Sequence, residues 1–169
     1  YRQNDNKYDG WVTDFVINLR KELQATFKEE VNVYFDENPH DGLLEMHQVS
    51  DSLKHKIKAL IFIPILSQTY CDPKSFAWRN EFVAFKKNAS EDQLGLLVKL
   101  VSSGNVVSRI IPVRIHELDQ EDKKLIENEL GPLRSINFIY KAPGVNRPLR
   151  ANEDRPHDNQ DKTYYRDQI

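Results

Sequence analysis

Apolar residues recur along this chain in a helical rhythm and an extended one, and their alternation predicts the architecture. In residues 9–28, "DGWVTDFVINLRKELQATFK", Trp11, Phe15, Leu19, Leu23 and Phe27 fall on one stripe, with Val12 and Val16 beside it. This spacing predicts an amphipathic helix. "VNVYF" (31–35) reads as a short strand, and "DENPHDG" (36–42) is loop chemistry with Pro39 and Gly42. Met46, Val49, Leu53 and Ile57 mark a second helix. "ALIFIPIL" (59–66) is apolar throughout, as expected of a parallel strand buried on both faces. Asp72 and Pro73 in the loop "SQTYCDPKS" can open a third helix over 74–87. Residues 90–108 form an irregular connection in which "LGLLVKLV" reads as a strand or a helical turn. "RIIPVRI" (109–115) predicts a strand, although Pro112 removes a ladder hydrogen bond that a central strand needs. A fourth helix fits 119–130, ended by Gly131 and Pro132. "SINFIY" (135–140) is a last strand, and a polar stretch over 141–160 precedes a final helix. There is no internal repeat.

Strands alternating with helices imply βαβ crossovers and a parallel sheet covered on both faces. Ligands of such sheets bind beyond the carboxyl ends of the strands, so the loops after 35, 66 and 115 are expected to share one edge. The loop after Leu66 leads into the third helix, where one position breaks the pattern. In "SFAWRNEFVAF" (75–85), Trp78, Phe82 and Phe85 share an α-helical stripe, and Glu81 lies on its margin. Glu81 is three residues after Trp78 and four before Phe85, so a carboxylate is set against aromatic rings near the expected cleft.

Composition narrows the function classes. A chain of 169 residues that is 39% hydrophobic and 30% charged suits one globular domain. A net charge of −2 argues against a general nucleic-acid or membrane-surface binder. The single cysteine, Cys71, excludes an intrachain disulfide, and no signal peptide or membrane-spanning run is visible. With Tyr1 at the start and a helical stretch at the end, the chain is expected to be a piece of a longer polypeptide. Neither GxGxxG nor GxxxxGK[ST] occurs, which argues against a conventional dinucleotide fold or P-loop. His40, His47, His55, His116 and His157 lack metalloprotease spacing, and one cysteine cannot anchor a structural zinc. Cys71 reads as an inert loop thiol, and Asp36 and Glu37 as solvated loop carboxylates. Glu81 alone reads equally as a surface residue or as an acid placed near a helix start.

The order of these segments resembles a family. "YRQND" (1–5) is similar to the residues just after the first strand of a Toll/interleukin-1 receptor (TIR) domain. "VYFDENPHDGLLEMHQVSDSL" resembles that family's second strand, its glycine-bearing BB loop and the next helix. "ALIFIPILSQTYCDPKSFAWRNEF" resembles its third strand, with a serine just beyond and then a Trp and a Glu near the start of a helix. "IIPVRI" is similar to its fourth strand, where a proline also commonly occurs. The likeness covers most of 1–140 and is bacterial in style. Two departures stand out: Trp78 is three residues before Glu81 where the family usually has four, and the apolar first strand is missing upstream of Tyr1.

The resemblance implies an α/β fold, a flavodoxin-like doubly wound parallel sheet of about five strands with helices on both faces. It also implies cleavage of NAD+ at the nicotinamide–ribose bond, releasing nicotinamide and a linear or cyclised ADP-ribose, in a cytoplasmic bacterial immune or signalling protein. The family's catalytic glutamate maps onto Glu81. Tyr1 and Arg2 would contact the nucleotide, Phe35, Asp36, Gly42 and Ser67 would line the cleft, and Trp78 would flank Glu81. NAD+ is substrate, so no cofactor or metal is implied, and the partner would be a second protomer engaged through the 36–44 loop. The alternatives are a non-catalytic TIR interaction module and, from the same topology, a phosphoacceptor receiver.

Overall fold

Neighbouring residues of the central strands enter different hydrophobic clusters, and this division organises the molecule. The computed structural model describes residues 1, 4–7, 9–35, 58–131, 134–151, 165 and 168–169. In chain order these form α1 (Asn4–Lys7), α2 (Trp11–Thr26), β1 (Ile65–Leu66), a π-helix (Ala77–Val83) and α3 (Ala84–Glu91). Then come β2 (Leu97–Lys99), β3 (Val106–Ser108), β4 (Val113–Arg114), α4 (Gln120–Leu130) and β5 (Ile136–Asn137). The fold is mixed α/β around a parallel three-stranded sheet of order β1-β4-β5, with Ile65 opposite Val113 and Val113 opposite Ile136.

Because side chains alternate along a strand, Ile65 points to one face and Leu66 to the other. Ile65, Val113, Ile115 and Phe138 join Trp11, Phe15 and Val16 of α2 in the first cluster. Leu66 and Ile110 join Trp78, Phe82 and Phe85 in the second. The parallel run of apolar residues in 59–66 thus serves both faces, as its sequence predicts. Its ladder extends beyond β1, since the Phe62 amide donates to Arg109 (2.8 Å) and the Ile111 amide to Phe62 (2.9 Å).

Pro112 fits because its carbonyl faces β5, accepting from the Ile136 amide at 2.8 Å. Paired β5 runs only Ile136–Asn137, so the missing donor of Pro112 falls at the entry of that pairing, where proline is tolerated.

Several elements differ from their predicted form. The stripe of α2 is buried at Trp11, Val12, Phe15 and Val16, but Phe27 beyond its end is half-exposed. Among the described residues, 31–35 make no ladder pairing, yet Val33 and Phe35 pack against the first cluster. In the 90–108 connection, β2 and β3 form an antiparallel hairpin, so "LGLLVKLV" takes its strand alternative. The helix predicted from Met46 to Ile57, and most of the final helix, lie outside the described residues.

Arg109 ties the hairpin to the sheet. It is buried, and its guanidinium donates to the carbonyls of Leu60 (2.7 Å), Ala59 (3.2 Å) and Gly95 (3.0 Å) and to Asp92 Oδ2 (2.6 Å). It also lies over the Phe85 ring, 5.6 Å from the centroid. The hydrogen bond from Arg109 holds the Asp92 carboxyl below its ordinary value of 3.8, helped by the amides of Leu94 and Gly95. A carboxyl whose folded value is depressed stabilises the fold above the unfolded value, and the contribution disappears as pH falls through the folded value. Thermal unfolding followed from pH 7 to pH 2.5 should therefore show a steeper loss of midpoint below about pH 4 in wild type than in Asp92→Asn. Parallel curves would show that the pair contributes nothing to acid sensitivity.

Candidate functional site

The helix carrying Glu81 starts from a turn built by its own polar residues. The Ser75 amide donates to the Asp72 carbonyl (2.9 Å), and Ser75 Oγ accepts from the Trp78 amide (3.1 Å), satisfying a donor that a helix start leaves open. Residues Ala77–Val83 then take the wider i→i+5 turn of a π-helix instead of the α-helix that the spacing predicts. Two side chains cover carbonyls around this widened turn: Asn80 Nδ2 donates to Phe76 (3.2 Å) and Arg79 Nε to Pro73 (3.0 Å). The chain returns to α-helix at Ala84.

The wider turn separates Glu81 from the aromatic stripe. Trp78 is 3% exposed and Phe82 0%, whereas the Glu81 side chain keeps 28% exposure. Trp78 packs on Phe82 with ring centroids 4.6 Å apart and meets Tyr70 edge-on at 6.1 Å. Trp78 is therefore core packing beneath the Glu81 turn, and its ring offers a ligand little surface.

Tyr1 and Phe35 do come together with Glu81. The Tyr1 ring stacks on Phe35 at 5.3 Å, and the Tyr1 backbone nitrogen is 3.7 Å from Glu81 Oε2. Ser67, just after β1, is also at this edge and is held from α1. Ser67 Oγ donates to Asp5 Oδ2 (2.8 Å), and Thr69 Oγ1 donates to Asp5 Oδ1 (3.1 Å). The loop after 115 starts beside it, since the Ile115 amide donates to the Leu66 carbonyl (3.1 Å). Of the three loops expected at one edge, those after 66 and 115 start side by side, and the one after 35 lies outside the described residues. Arg2, Asp36 and Gly42, with the whole 36–44 loop, lie outside the described residues, so their place relative to Glu81 is not among the observed contacts.

Electrostatics distinguishes the remaining candidates. Burial pushes the Cys71 thiol up to about 12, and the nearby Asp122, Asp119 and Asp5 carboxylates push the same way. A thiol so strongly protonated is a poor nucleophile, in keeping with an inert residue. Burial also lowers His116, against the opposing pull of Asp5 and Asp9. Among the described residues no three His, Cys, Asp or Glu side chains converge as a metal site requires. A groove of about 270 Å³ lined by Asn18, Glu22, Ala151, Tyr165 and Ile169 shares no residue with the Glu81 edge.

Two residues at this edge escape a reading based on spacing. Asp5 sits within "YRQND", but only its pairing with Ser67 and Thr69 shows it as the clamp between α1 and the loop after β1. Tyr70 sits in "SQTYCDPKS" like any loop tyrosine, yet it is fully buried. Its signal is a Ser-x-x-Tyr turn, in which the Tyr70 amide donates to Ser67 Oγ (3.1 Å). Compared with models of known protein families, with curated proteins and with solved structures, the chain matches none of them.

Proposed function

We propose that this chain is a TIR-type NAD+ nucleosidase in which Glu81 stabilises the ribosyl cation formed as nicotinamide leaves. The observation that carries this reading is the grouping of a partly exposed carboxylate with the Tyr1–Phe35 ring stack at the carboxyl edge of a parallel sheet. The chemistry suits one carboxylate. Cleaving the N-glycosidic bond moves the bonding pair to the nicotinamide nitrogen and leaves positive charge on the ribose, which Glu81 opposes while accepting from ribose hydroxyls. Nicotinamide leaves from a cationic ring, so no strong general acid is required. Tyr1 and Phe35 offer flat apolar surface for a nucleotide base, and Ser67, fixed by Asp5, shapes the cleft floor.

The finer architecture belongs to the same proposal: a flavodoxin-like doubly wound sheet of about five strands, with 31–35 among them. Its support is that Val33 and Phe35 pack on the same cluster as Ile63 and Ile65. A cytoplasmic setting also goes with the proposal; among the described residues no helix is long and apolar enough to cross a membrane.

A second reading, a non-catalytic interaction module, is favoured by one feature. The β2–β3 hairpin exposes Leu97, Val106 and, at its turn, Val101, which is fully exposed. Grouped exposed apolar residues mark contact surfaces. The two readings separate on incubation with NAD+ and measurement of free nicotinamide. In the enzyme reading the neighbouring protomer's 36–44 loop completes the site, so release per protein molecule should rise with protein concentration or crowding. Specific activity that is flat from nanomolar to high micromolar protein, with a monomer throughout, removes assembly from the mechanism. No release at any concentration leaves the interaction module.

A further inference from the structure

Two arginines flank the apolar run 110–113, and the fold treats their charges in opposite ways. Arg109 is buried and its charge is answered by Asp92 Oδ2 at 2.6 Å. Arg114 is half-buried, and its Nε donates to a neutral acceptor, Asn137 Oδ1, at 3.0 Å. Among the described residues no carboxylate pairs with Arg114, and its Nη edge has no partner. Asn137 Oδ1 also accepts from Ser135 Oγ at 3.2 Å, so the amide is fixed from two sides. Its Nδ2 group, beside that oxygen in the same amide, is likewise without a partner among the described residues.

The place of this pair in the sheet sharpens the contrast. Arg114 ends the middle strand β4, Asn137 ends β5, and the two stand opposite each other in the ladder. Side chains alternate, so Arg114 shares the face of Ile110 and Pro112, both of them buried. Half-burying a cation on such a face costs hydration, and no carboxylate repays it as Asp92 repays Arg109. An amide oxygen orients a guanidinium without neutralising it, leaving its planar outer edge ready for two oxygens of one anion. The carboxyl ends of parallel strands are also where such sheets bind ligands.

We propose that Arg114 and Asn137 form an oxyanion site, which takes a phosphate or carboxylate group of a small ligand. The Nη edge of Arg114 donates to two of its oxygens, and Asn137 Nδ2 supplies a further donor. The site stands independently of the NAD+ reading and is tested by binding alone.

Inorganic phosphate and acetate, each titrated against chloride at equal ionic strength, serve as probes. Near saturation the occupied site should raise the melting temperature by about 2–4 °C over chloride, and whichever probe does so names the group. Arg114→Gln should abolish the rise. Asn137→Asp is the sharper variant, because its carboxylate still ties β5 to Arg114 but now neutralises the charge. Its melting temperature in chloride should hold or rise, while the rise with the probe is lost. A merely structural tether between the strands predicts instead that neither probe exceeds chloride in wild type, and that result overturns the site. A full probe-dependent rise retained in either variant overturns it as well, since the anion then binds elsewhere.

Discussion

Replacing Glu81 with glutamine is expected to reduce nicotinamide release to near background while the fold survives. A carboxylate that only favours a helix start contributes about 0.3–1 kcal/mol. Its contact with the Tyr1 nitrogen is long and partly exposed, which limits it to about 0–1 kcal/mol. Neither term can produce a large kinetic effect. Stabilising ribosyl charge in a partly dry cleft is worth several kcal/mol in the transition state, on the order of a thousandfold in rate. Glutamine keeps the shape and removes the charge. It also relieves any cost of holding charge on the same turn as the buried Trp78 and Phe82, so the melting temperature should hold or rise. The result that sinks the assignment is a variant that melts earlier yet, per folded molecule, cleaves NAD+ at the wild-type rate.

What could be read from the sequence depended on whether a local period decided the structure. The strand alternation did: "ALIFIPIL" and "RIIPVRI" supply side chains to two clusters, and parallel pairing follows. The helix over 119–130 was equally legible, because Asp119 caps its start (accepting from the Asp122 amide at 2.8 Å) and Gly131 closes it at φ 69°. The Glu81 segment was legible only in part. A 100° template finds the Trp78–Phe82–Phe85 stripe but not the π turn, whose accompanying hydrogen bonds from Asn80 and Arg79 have no periodic signature. The difference matters, since it leaves Trp78 in the core and Glu81 partly open to the cleft edge. Arg109 and Tyr70 were opaque for another reason. Their partners come from Ala59, Leu60, Asp92 and Gly95 in one case and from the Trp78 ring in the other, so only the folded chain shows why these side chains are buried.

Phe138→Ala should be the most damaging of these substitutions to the fold, at about 3–5 kcal/mol. Phe138 is 0% exposed and meets Phe15 at 5.5 Å, Trp11 at 5.7 Å and Tyr165 at 5.0 Å, each ring edge-on. It is also part of the parallel ladder, its amide donating to the Arg114 carbonyl (2.8 Å) and its carbonyl accepting from the Leu149 amide (2.8 Å). The main-chain bonds survive truncation, so the loss is ring burial plus the cavity left among side chains too rigid to collapse into it. Trp11 is anchored by its Nε1–H to the Leu149 carbonyl at 2.6 Å, and it cannot follow the missing ring without breaking that bond. Against a total stability of about 5–15 kcal/mol, such a loss removes a large share. Denaturant unfolding should show the midpoint fall steeply with an unchanged slope, while Phe138→Leu recovers most of the difference. The helix of Glu81 packs on the second cluster, whereas Tyr1 and Phe35 pack on this one, so any loss of nicotinamide release per folded molecule should come through their ring stack. A Phe138→Ala protein of near-native midpoint would mean that the ring cluster around α2 is not what holds the sheet.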